Sequence, residues 1–137
     1  AEQERLRKEA EAAAARADAR GRARAYLSSA QRTPIGAWEL SKELDKATAE
    51  QQDAVYRLLY FAASGNVAES FVSYARCLDP AEPAWGSIKK DAAEAWEYYR
   101  KAGTPEAAEA MKKMKEWTEA AAKAGNRDAA AWLRLMK

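Results

Sequence analysis

Three times in its second half the chain runs from helix-forming residues into a short interruption of the same kind. Small pairs at Ala62-Ala63, Ala102-Gly103 and Ala121-Ala122 are each followed within a few residues by Gly-Asn or Thr-Pro. Seven residues after the second member of each pair stands another small residue, Ser70, Ala110 or Ala129. Four further on comes a large apolar one, Tyr74, Met114 or Leu133. Small residues let two helices approach closely, and the large ones fill the groove between neighbours. A recurring helix-turn-helix unit of this kind predicts a stacked helical array, in which each unit buries its apolar face against the next.

Composition agrees with an all-α fold. About a quarter of the residues are Ala, while Gly (6) and Pro (4) are scarce and Val and Ile almost absent, so helix is favoured over strand. At 137 residues, with 48% hydrophobic and 32% charged residues, the chain can bury one core. A net charge of +2 gives no electrostatic footprint for nucleic acid. His is missing, and with it the commonest general base and metal ligand. Cys77 is the one cysteine, so neither an internal disulfide nor a thiolate metal cluster is expected. No run of 18 apolar residues is present to span a membrane. The chain begins at Ala1 rather than Met, which fits a processed or trimmed form and leaves the cellular side, periplasm or cytoplasm, open.

The expected organisation is a charged helix over residues 1–30 and a helical domain over 31–137, about six or seven helices in all. The first segment is rich in Ala, Arg and Glu, and its only apolar residues larger than Ala are Leu6, Tyr26 and Leu27. Such a helix projects, frays or packs on another copy, so self-association through residues 1–30 is one expectation. Thr33-Pro34 starts the next helix. Thr48 with Gln51 forms a capping box ahead of the most apolar helix, 49–63, where Val55, Leu58, Leu59 and Phe61 place the core, with Tyr56 and Tyr60 beside them. Gly65 ends it, and Asn66 with Glu69 is read as opening another helix through Leu78. After an irregular stretch to about Ile88, Asp91 with Glu94 caps a helix over 92–102. Thr104-Pro105 opens a long helix over 105–124, and Asn126 the last, to Met136.

Two stretches, DAAEAWEYYRKAG (Asp91 to Gly103) and WTEAAAKAGNRDAAAWLRL (Trp117 to Leu135), resemble the SEL-like repeat, a relative of the tetratricopeptide unit. Asp91, Ala95, Tyr98, Tyr99, Lys101 and Ala102 match its first helix; Trp117, Ala121, Ala122, Gly125, Asn126, Ala129 and Leu133 match the second half. A weaker copy runs through Leu58, Leu59, Ala62, Ala63, Gly65, Asn66, Ser70 and Tyr74. The resemblance covers residues 49 to 137. The copies lie 40 and then 19 residues apart, against roughly 34 to 40 in such families, so a short, irregular array is expected. The resemblance implies a scaffold or adaptor, often bacterial and often in secretion or envelope settings. It supplies no catalytic residues.

The expected function is accordingly non-enzymatic protein binding, without cofactor or metal, through a groove lined by the first helix of each unit. Glu69, Ser73, Arg76, Trp85 and Lys112 point away from the small-residue seam and are the candidate contacts. Two further readings are an immunity or inhibitor protein that blocks one toxin or enzyme, and a component of an envelope or secretion assembly. Trp85, in the Pro-rich loop, is either an exposed interface anchor or a residue that stiffens the loop by burial. The group Tyr56, Tyr60, Phe61, Phe71, Tyr74, Trp96, Tyr98, Tyr99, Trp117 and Trp132 reads first as packing. Arg16, Arg20 and Arg24 line one helix face, as a solvated surface or as a contact for anionic lipid or nucleic acid. The pairs Glu94/Glu97 and Glu106/Glu109 and the cluster Lys112, Lys113 and Lys115 read as surface charge, and Cys77 as a small core residue.

Overall fold

The computed structural model describes residues 1–44 and 48–137, with side chains described for all of these except 12–18. The described residues form α-helices and one short 3-10 turn, with no strand among them: α1 (Glu2–Ser28), α2 (Pro34–Glu43), α3 (Ala49–Ser64), a 3-10 turn (Ala68–Ser70), α4 (Phe71–Leu78), α5 (Ala92–Ala102), α6 (Pro105–Lys123) and α7 (Arg127–Leu135). Each helix packs on its successor, α4 against α5 and α2 against α3 most extensively; α1 also lies on α3, and α5 on α7.

Local chemistry sets the starts. Thr33, Thr48, Asp91, Thr104 and Asn126 each accept, through a side-chain oxygen, the backbone N–H three residues on, at 3.0 to 3.2 Å. Each satisfies one of the donors that a helix start leaves orphaned. At Thr48 the box is complete, with Gln51 Oε1 accepting the Thr48 N–H at 3.2 Å. At Asp91 it is half a box, because the Asp91 N–H donates to the Leu78 carbonyl at 2.8 Å and ties α5 to the end of α4.

The expected helix start at Asn66 is corrected. Asn66 adopts the left-handed conformation at φ 66°. Its N–H donates to the Ala63 carbonyl and that of Val67 to Ala62, the Schellman pattern that closes a helix rather than opening one. Gly65 sits one position earlier at an ordinary φ of −88°. There a Cβ would drive into the Pro34 ring, so this glycine is required by the close passage of α2. At the second Gly-Asn, Gly125 itself takes the left-handed position at φ 99°, which frees Asn126 to cap α7.

The core is centred on α3. Val55, Leu58, Leu59, Ala62 and Ala63 are buried, as are Tyr74 and Ala75 of α4, Ala95 and Tyr99 of α5 and Met114 of α6. The recurrent small-to-large spacing is visible in this packing: Ser70, Tyr74, Met114 and Ala129 are buried, and Ala110 and Leu133 half-buried. Polar groups in the interior are satisfied locally, Ser70 Oγ by the Val67 carbonyl and Thr118 Oγ1 by the Met114 carbonyl, both at 2.7 Å. Cys77 is buried and fills core space as expected.

In α1, residues 1–11 are exposed, and the first buried side chains among those described are Ala19 and Ala23. The exposed turns carry their own ion pairs: Arg5 with Glu2 and Glu9, Arg7 with Glu4 and Glu11, Lys8 with Glu4.

Candidate functional site

Between α4 and α5 the loop 79–91 folds back onto the start of α3, and this return shapes one wall of a groove. Trp85 Nε1 donates to the Gln52 carbonyl at 2.8 Å, and the Gly86 N–H to Gln52 Oε1 at 2.7 Å. Asp53 takes the Ser87 N–H on Oδ1 and the Ser87 hydroxyl on Oδ2, at 2.8 and 2.9 Å. Gly86 is at φ 52°, and a Cβ there would drive into the Asp53 carboxylate. Trp85 is half-buried. It therefore acts as a strut that stiffens the loop, the second of its two sequence readings.

A second anchor lies at the loop's base. Asp79 is 2% exposed and accepts the Ala81 N–H and the Tyr99 hydroxyl, each at 2.8 Å. Burial raises its pKa despite these two donors. Nearby, Lys90 Nζ donates to the carbonyls of Pro83 and Cys77 at 2.7 and 3.2 Å. Burial lowers its pKa, while the Asp79 charge opposes that shift.

Held in this way, Ser87, Ile88, Lys89 and Lys90 form one wall of a groove of about 610 Å³ that is closed by Tyr56 of α3, Leu78 at the end of α4, Asp91 and Glu94 at the start of α5, and Asp128 and Trp132 of α7. Tyr56 is the near end of an aromatic ladder. It stacks on Tyr74 with centroids 5.7 Å apart; Tyr74 meets Tyr98 edge-on at 4.8 Å, and Tyr98 meets Phe71 at 5.5 Å. Tyr60 closes against both Tyr56 and Tyr74 and is 52% exposed. Lys101 Nζ lies 4.7 Å from the Tyr98 ring centre, a cation–π contact that covers the far end. Burial is the largest cause raising the pKa of Tyr56 and Tyr74, with the neighbouring Glu94 charge adding to it. The phenols stay neutral and able to hydrogen-bond. Three acids, Asp91, Glu94 and Asp128, line the groove against two bases, Lys89 and Lys90, and among the described residues none of the five is in an ion pair, so acid is in excess by one.

The five sequence candidates do not come together in this groove. Glu69 is exposed on the 3-10 turn, beside Pro34 and Ile35 of α2. Ser73 is half-buried on α4, where its carbonyl accepts the Cys77 thiol at 3.4 Å. Arg76 is exposed but paired with Glu106 of α6. Lys112 is exposed on α6, and Trp85 is committed to α3. The aromatic side chains that line the groove are instead Tyr56 of α3 and Trp132 of α7. The groove's signal was the pair Tyr56/Tyr60, four residues apart and just outside the apolar stripe Val55, Leu58, Leu59 and Ala62. Of the aromatic group read as packing, Tyr60 and Trp117 are exposed, at 52% and 40%.

Of the Arg16, Arg20 and Arg24 face, the Arg16 side chain lies outside those described, as does Asp18; Arg20 and Arg24 line a cleft against α3. Among the described residues no three His, Cys, Asp or Glu side chains are grouped to hold a metal ion, and no helix is long and apolar enough to cross a membrane. Comparison with protein-family models, with curated proteins and with solved structures finds no match for the chain.

Proposed function

We propose that the protein is a non-catalytic interaction module that binds a segment of a partner protein in the groove between α3, α5 and α7. The resemblance to SEL-like and tetratricopeptide units implies the same kind of role, a scaffold or adaptor, though through a groove lined by the first helix of each unit. The reading rests on one observation: an aromatic ladder buried at Tyr74 reaches, through Tyr56, a groove flanked by Trp132 and by charges that have no ion-pair partner among the described residues. Large, semi-rigid aromatic side chains give contact area at small entropic cost, and Tyr and Trp dominate the energetics of such interfaces. With Glu94 and Asp128 unpaired on the rim, the segment that fits carries a large apolar side chain next to Lys or Arg.

Selection of displayed peptides on the folded protein, followed by fluorescence anisotropy of the winners, tests this. The expected winners are basic-aromatic or basic-aliphatic peptides. Tyr56→Ser and Trp132→Ala, the two aromatic side chains that line the groove, should each weaken them about tenfold or more, the loss typical of an interface anchor, while Arg22→Gln leaves binding unchanged. Winners that bind the Tyr56→Ser, Trp132→Ala double variant as tightly as the parent would refute the assignment.

A further inference from the structure

The stripe of arginines on α1 acquires a counterpart only in the folded chain. Arg20 and Arg24, one turn apart, face Arg57 of α3 across a cleft of about 250 Å³ whose floor is Ala23, Leu27 and Ala54. Three other arginines of α1 are neutralised: Arg5 and Arg7 by glutamates of their own helix, Arg22 by Glu43 of α2 at 3.2 Å. Among the described residues Arg20, Arg24 and Arg57 have no such partner. The two acids lining the cleft do not pair with them: Asp53 spends both oxygens on Ser87, and Glu50 stands at the start of α3. Three arginines against two acids leave the lining with one positive charge in excess.

We infer that this cleft is an anion site for a single carboxylate carried on a short apolar stem. Guanidinium groups present paired N–H donors that match a carboxylate in a bidentate fork. One excess positive charge is balanced by a monoanion, which favours carboxylate over a doubly charged phosphate. The volume lies just below the range for drug-sized ligands, so it admits one acidic group and its stem, with the stem over the apolar floor. The site lies on the opposite flank of the loop clasp from the aromatic groove and does not depend on it.

The test is a ¹⁵N-NMR titration of the intact chain with phenylacetate, with phenylacetamide as its neutral counterpart. An N-acetylated dipeptide ending in Leu separates a free acid from a chain end. Saturable shifts confined to residues 20–28 and 50–57 are expected with the carboxylates, weakening as salt is raised, with none from the amide. Arg24→Gln and Arg57→Gln should each lower the affinity about tenfold to a hundredfold, the range for a charge-assisted hydrogen bond, while Arg134→Gln leaves it unchanged. These arginines are exposed, and an unchanged far-ultraviolet spectrum verifies the fold of each variant. Stronger binding of the free acid than of the dipeptide assigns the site to small molecules; the reverse assigns it to a chain end. No saturable shift, equal shifts from the amide, tighter binding of phenyl phosphate, or insensitivity to Arg57→Gln each overturns the inference.

Discussion

Replacing Tyr99 with Phe removes one oxygen from a buried contact between two side chains, and the consequence depends on pH. Tyr99 is fully buried, and its hydroxyl lies 2.8 Å from Asp79 Oδ2. With that donor gone, Asp79 retains the Ala81 N–H at 2.8 Å and the charge of Lys90. A hydrogen bond to a charged group contributes about 1.5–3 kcal/mol and a neutral one about 0.5–1.5 kcal/mol. The Asp79 pKa is already raised above 3.8 by burial, and the Tyr99 hydroxyl works to lower it, so the variant raises it further. For an acid with a raised folded pKa, the linked stability is fully present below the unfolded pKa and is lost as pH rises through the folded one. The variant, with the higher folded pKa, loses more on the way to neutrality. Urea unfolding followed by circular dichroism should therefore show Tyr99→Phe destabilised by about 2 kcal/mol at pH 7 and by about 1 kcal/mol or less near pH 4. A deficit that is equal at the two pH values, or smaller than about 0.5 kcal/mol at pH 7, would refute the claim that Asp79 is a buried carboxylate stabilised by this hydroxyl.

Two glycines should respond in opposite directions to alanine. Gly65→Ala forces a methyl into Pro34 and should cost about 1–3 kcal/mol as overpacking, whereas Gly21, inside α1 with nothing within 4 Å of a new Cβ, should gain about 0.5–1 kcal/mol from helix propensity; thermal melts of the two variants compare them directly. Asp53→Ala removes both acceptors of Ser87, and hydrogen exchange should then accelerate at the Gly86 and Ser87 amides while those of α6 keep their protection.

The helices themselves were legible because their punctuation is local. A Thr, Asp or Asn three residues ahead of an N–H is readable without knowing the fold, and the starts of α2, α3, α5, α6 and α7 are all of this kind. Asn66 was not legible, since the same Gly-Asn pair plays two roles; at the end of α3 the glycine is needed where Pro34, distant in sequence, leaves no room for a Cβ, and Asn66 takes the left-handed position. The apolar stripe of α3 announced the core, but the groove did not announce itself. It draws on α3, the loop, α5 and α7, and Trp85 could be assigned only once Gln52 was seen beneath it. A candidate contact chosen by direction from a single helix, such as Arg76, met a neighbour that one helix cannot reveal, Glu106 of α6.

The leading turns of α1 are held by pairs within the same helix rather than by the body of the protein. Ion pairs at that exposure contribute only a few tenths of a kcal/mol each and fade with ionic strength. The end of α1 is thus a strut whose rigidity is set by the surrounding electrolyte: straight in dilute buffer, unravelling from its tip in concentrated salt, while the packed helices beyond Ala19 remain indifferent to the change.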